Sequence, residues 1–83
     1  MYVVDSSVFA SIMVKDEFHK RAQTFLKSSR KYNLITVDLA YIETANTLWK
    51  HVYVLKRIPI DKYRTLKEKI KPLIANSVAK IYS

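Results

Sequence analysis

The 83 residues contain neither cysteine nor glycine. The first absence removes disulfides, thiolate zinc sites and cysteine nucleophiles, and it suits a reducing cytoplasm. The second excludes the glycine-rich loops that cradle phosphates in nucleotide-binding folds, and it is unusual in a domain with several turns. Negative charge is also scarce: seven Asp and Glu stand against fifteen Lys and Arg, for a formal net charge of +8. A surplus of that size favours a polyanionic partner, whether nucleic acid, an acidic protein or an anionic surface; the plainer alternative is a solvated basic surface. No apolar run approaches the length needed to span a bilayer, and Asp5 stands where a signal peptide would carry Lys or Arg. Residues 1–83 are therefore expected to form a single cytoplasmic, non-membrane domain.

What is present is a hydrophobic share of 49% spread along the whole chain, which argues against disorder. Tyr2-Val3-Val4 reads as a short central strand ending in Asp5, Ser6 and Ser7. Ser6 or Ser7 caps a helix through Val8, Phe9, Ile12 and Met13. Asp16 is suited to cap a second helix with Phe18, Ala22, Phe25 and Leu26 as its apolar stripe. Leu34–Val37 is a second, buried parallel strand. Asp38 then precedes the longest helix, expected from about Leu39 to Lys56. Its core face is Leu39, Ile42, Ala45, Leu48, Trp49, Val52 and Leu55, with Glu43 and Asn46 half-buried at the border. Pro59 breaks the pattern, and Asp61 caps a last helix carrying Tyr63, Leu66, Ile70, Leu73 and Ile74. Pro72 is expected to kink or shorten that helix, and Asn76 to stop it. Val78–Tyr82 is a candidate third strand. Three strands alternating with four helices predict an α/β fold with a parallel sheet flanked by helices.

Asp5 falls at the carboxyl end of a strand, where open α/β sheets gather their ligands. A carboxylate there needs a partner, which a divalent cation, a helix N-terminus or a lysine would each supply. Glu43, early in the helix after the second strand, is able to meet Asp5 at the same edge. Two acids so placed suit Mg²⁺ or Mn²⁺, which accept one or two carboxylates and retain water and phosphate oxygens.

The ordered set Val3-Val4-Asp5-Ser6-Ser7-Val8, Asp16-Glu17-x-His19-x-x-Ala22 and Glu43-x-x-Asn46-x-Leu48 resembles the first part of a PIN domain. The nearest branch is the VapC-type toxins of prokaryotic toxin–antitoxin pairs. The resemblance implies a Mg²⁺- or Mn²⁺-dependent endoribonuclease with an RNA substrate and an antitoxin protein as partner. It makes Asp5 and Glu43 catalytic metal ligands, Ser7 the residue that orients Asp5, and Asn46 a supporting polar position. It covers about two-thirds of a family domain, so the resemblance implies a truncated PIN-like fold, incomplete at the C-terminus. The family's later acids find no counterpart, since Asp61 and Glu68 lie on an amphipathic helix where capping and ion pairing account for them. Activity is therefore expected to be weak or lost. The alternative is a non-catalytic remnant that binds a protein or associates with itself, as a homodimer or larger assembly.

Two further features complete the sequence reading. His19 and His51 lie in separate helices, and packing or hydrogen bonding is the expected role of His19. From Lys50 to Lys71 there are eight basic residues and two acidic ones, interleaved with Trp49, Tyr53 and Tyr63. Lys50, Lys56 and Arg57 are the candidate RNA contacts in that stretch, while the aromatic rings fall at core spacing.

Overall fold

The computed structural model describes residues 2–83, with the side chain of Tyr32 outside the described set. The chain runs β1 (Tyr2–Val3), α1 (Ser6–Val14), α2 (His19–Ser28), β2 (Leu34–Val37), α3 (Leu39–Tyr53), α4 (Tyr63–Ser77) and β3 (Lys80–Tyr82). Single 3-10 turns at Lys31–Asn33 and Ile60–Lys62 precede β2 and α4. The fold is α/β: three parallel strands in the order β1-β2-β3, with four helices. Val3 lies opposite Ile35, and Val37 opposite Tyr82, so all three strands end at one edge.

β2 is the centre of this sheet because it is hydrogen-bonded on both sides. Its Leu34 and Thr36 are buried, and the Thr36 hydroxyl donates to the Val4 carbonyl at 2.8 Å. Tyr2 and Val3, expected in a central strand, instead form an edge strand and are 65% and 67% exposed. Only Val4, one residue past β1, enters the core. Burial alternates in β2, where Leu34 and Thr36 are buried and Val37 is exposed, while β1 and β3 are exposed throughout. Val3, Val37 and Tyr82 lie on the face away from Val4, Leu34 and Thr36. Leu48 and Val52 of α3, Ile70 and Ile74 of α4, and Phe9 and Met13 of α1 complete the core.

α3 sits differently from its expected orientation. Leu48 and Val52 are buried as expected, but Leu39, Ile42, Trp49 and Leu55 are exposed, and Ala40 and Thr44 take the buried positions. α3 packs against both α1 and α4, and helices that approach closely favour small residues such as Ala40 and Thr44 on the buried side over a stripe of Leu, Ile and Trp. Glu43 and Asn46 are accordingly exposed, not half-buried.

Helix ends differ from expectation in chemistry more than in place. Ser6 and Ser7, expected to cap α1, are instead its first two residues, with Asp5 at the cap position. Lys62 rather than Asp61 precedes α4. Among the described residues no side-chain capping bond is made at α1, α3 or α4, and α3 ends at Tyr53, three residues early. Asp16 acts one turn ahead of α2, accepting from the Phe18 amide at 2.9 Å. α4 continues through Pro72 to Ser77. Proline removes one helical hydrogen bond there, but Pro72 and Glu68, four residues before it, are both exposed, so water can take the freed carbonyl.

With no glycine available, two lysines adopt left-handed backbone. Lys15 (φ 51°) closes α1, and Lys56 (φ 53°) follows α3. Beyond α3, the Lys50 carbonyl accepts from Val54 and Leu55, and the His51 carbonyl accepts from Arg57 and Ile58. These bonds satisfy the carbonyls at the helix end. Among the described residues, no helix is long and apolar enough to cross a membrane.

Candidate functional site

Asp5 is set by the transition from β1 to α1. Its backbone is extended (φ −75°, ψ 150°), and its carbonyl accepts from the Val8 amide as the helix begins. The carboxylate is therefore left at the carboxyl edge of the sheet, exposed to solvent. The Ser7 hydroxyl donates to Asp5 Oδ2 at 2.8 Å. That bond occupies one carboxylate oxygen and leaves the other available.

Glu43 enters from the neighbouring strand. β2 runs parallel to β1 and in register with it, and α3 begins two residues after β2 ends. Glu43 therefore lies about 6 Å along the axis of α3 from Leu39, at 1.5 Å per residue. α1, which follows Asp5, packs against α3. The two acids thus belong to adjacent, mutually packed strand–helix units.

Ion pairing does not set these two carboxylates apart: among the described residues Asp5 and Glu43 have no basic partner, and neither do Asp16, Glu17, Asp38 or Asp61. The ion pair found is Arg64–Glu68 at 3.3 Å, on the exposed side of α4. Asn46 is exposed one turn beyond Glu43, on the same side of α3. Among the described residues there is no group of three or more His, Asp or Glu side chains arranged to hold a metal ion. The contact found at this edge is the Asp5–Ser7 hydrogen bond, with Glu43 exposed on the neighbouring strand–helix unit. His19 is engaged elsewhere, with Nδ1 2.7 Å from the Asp16 carbonyl.

A second feature lies at the other end of α3. Trp49 and Tyr53, one turn apart, hold their ring centroids 5.6 Å from each other, and Tyr53 meets Tyr63 edge-on at 5.6 Å. The sequence reading assigned these rings core spacing. Trp49 and Tyr53 are instead 49% and 42% exposed. Lys67 Nζ stands 5.7 Å from the Tyr63 ring. Lys50, Lys56 and Arg57, the basic residues singled out from sequence, are all exposed beside this cluster. Their alternation with aromatic residues was the legible signal; the rotation of α3 that exposes the rings was not.

Comparison with known proteins adds one relative. Over 49 residues the chain is 41% identical to Ribonuclease VapC3 of Pyrobaculum aerophilum, a match covering 59% of this chain and 36% of that protein. The chain thus spans about a third of the length of the curated relative it matches. No family profile matches the chain, and no solved structure matches it.

Proposed function

We propose that this chain carries the first part of a PIN-type ribonuclease site, of the kind found in the toxins of toxin–antitoxin pairs. The observation that carries the reading is the Asp5 carboxylate at the carboxyl end of β1, held by the Ser7 hydroxyl at 2.8 Å, with Glu43 on the adjacent, mutually packed strand–helix unit. The partial likeness to a ribonuclease supports it. Asp5 and Glu43 would hold Mg²⁺ or Mn²⁺, an ion that lowers the pKa of bound water and steadies charge on a phosphodiester. The donor set suits such an ion, which takes one or two carboxylates and keeps several waters. Ser7 donates to Asp5 Oδ2 and so directs the free oxygen. Asn46 offers a hydrogen bond to substrate or bound water beside Glu43. The substrate class is RNA, and an antitoxin protein is the regulatory partner. Two carboxylates hold such an ion weakly, so cleavage by the chain alone is slow or absent.

The exposed apolar positions on the outer face of the sheet, Val3, Val37 and Tyr82, favour a second reading. Parallel sheets usually have both faces covered. An uncovered face supports a binding module that joins an antitoxin-like protein or a second copy of the chain, as a homodimer or larger assembly. Titration calorimetry separates the two. The nuclease reading expects saturable Mn²⁺ binding by wild type and none by Asp5→Asn or Glu43→Gln. Equal heats from wild type and Asp5→Asn remove Asp5 from the site, and survival of partner binding in both variants then favours the second reading.

A further inference from the structure

The end of α3 distant from the acids carries a built surface that neither reading uses. Trp49 and Tyr53 are 49% and 42% exposed, and Tyr53 also lines a concavity of about 430 Å³ with Lys56, Arg57, Ile58 and Pro59. That volume lies within the range of small-ligand sites. The surface combines flat, exposed rings with cations on both sides: Lys50 on α3, Lys56 and Arg57 in the loop, and Lys67 over Tyr63. The nearest carboxylates along the chain are Glu43, six residues before Trp49, and Asp61, four residues after Arg57, both exposed. The loop is not free to drift, because Arg57 and Ile58 both donate to the His51 carbonyl.

We infer that this surface binds single-stranded nucleic acid: unpaired bases stack on Tyr53 and Trp49 while their phosphates meet Lys56 and Arg57. Stacking is what an exposed ring adds to an otherwise electrostatic contact, and it requires a base released from its duplex. An acidic protein would satisfy the cations but has no need of the flat rings. The surface would act as a holding site for RNA flanking the acids, since Tyr53 lies ten residues beyond Glu43, about 15 Å along the helix axis. In that role the inference rests on the ribonuclease reading; binding itself needs no metal.

Trp49 is the sole tryptophan, so its emission reports on this site directly. The full chain in EDTA is titrated with a short oligouridylate, a duplex RNA of equal length, heparin and polyglutamate. The expected result is quenching of Trp49 by the single strand, with little by duplex, heparin or polyglutamate. Tyr53→Ala should weaken single-strand binding about tenfold, and Lys56→Gln with Arg57→Gln should weaken it and flatten its salt dependence. Tyr53→Leu keeps apolar bulk without the ring and should resemble Tyr53→Ala; circular dichroism checks that each variant is folded. Equal quenching by heparin, tighter binding of polyglutamate, or unchanged affinity in both Tyr53 variants overturns the proposal. Asp5→Asn with Glu43→Gln should bind the single strand like wild type. Loss of Mn²⁺ heats therefore speaks against the acid site alone, and loss of quenching against the platform alone.

Discussion

Two threonines, equally buried, differ in what their hydroxyls do. Thr36 donates to the Val4 carbonyl across the sheet, whereas the Thr44 hydroxyl has no hydrogen-bond partner among the described residues. An unpaired buried hydroxyl keeps its desolvation cost, while a paired one recovers it. Valine has nearly the shape of threonine, so the same substitution should act in opposite directions. Thr44→Val is expected to stabilise the chain by about 1 kcal/mol, and Thr36→Val to destabilise it by a similar amount. Urea melts of the three proteins check the signs; a loss of stability in Thr44→Val would mean that its hydroxyl is satisfied in solution. At this scale the sequence was informative about residue type and silent about partners. Asp5, Asp38 and Asp61 all read as capping or terminal acids, yet none makes a side-chain cap. A cap depends on backbone angles at a single residue, which local composition does not specify.

At the scale of elements, α3 shows how a period can be right and its phase wrong. Helical spacing in 39–53 was legible, since apolar residues recur along its whole length. But that helix has apolar residues around more of its circumference than one neighbour can cover, so the pattern alone admits several orientations. Packing against α1 and α4 selected the one that buries Ala40, Thr44, Leu48 and Val52. Two substitutions test this orientation. Leu48→Ala should cost about 2–5 kcal/mol, a large share of a small domain's stability. Ile42→Glu should leave the melting midpoint nearly unchanged, as surface substitutions usually do. Thermal melts in which Ile42→Glu unfolds as readily as Leu48→Ala would restore the face expected from sequence. α4 was better read because its buried residues, Ile70 and Ile74, lie on one narrow stripe of an otherwise polar helix, leaving a single sensible phase.

The whole molecule is governed by its charge and by an uncovered sheet. A surplus of eight positive charges draws polyanions from a distance and opposes association between copies, and salt screens both effects. If Lys50, Lys56 and Arg57 each meet one phosphate, single-strand binding should fall roughly 20-fold between about 50 and about 200 mM salt. Fluorescence titrations at the two salt concentrations measure this directly. An affinity unmoved by salt would remove the three side chains from the interface. Charge and composition were fully legible before any fold was known. The exposed row of Val3, Val37 and Tyr82 was not, because which strand lies at an edge depends on pairings between distant segments.

By itself, the chain determined its class and its order. The alternation of short β-branched runs with amphipathic segments leads to parallel strands and covering helices, and strand ends follow from where those runs stop. It also supplied the two acids, Asp5 and Glu43, as members of consecutive strand–helix units. Tertiary structure decided what each side of those helices faces: β2 and not β1 at the centre, small residues of α3 turned to the core, and Trp49 and Tyr53 left about half exposed. The physical reason is that burial belongs to a pair of surfaces. A sequence states how apolar each surface is, and only the packed chain determines which ones meet.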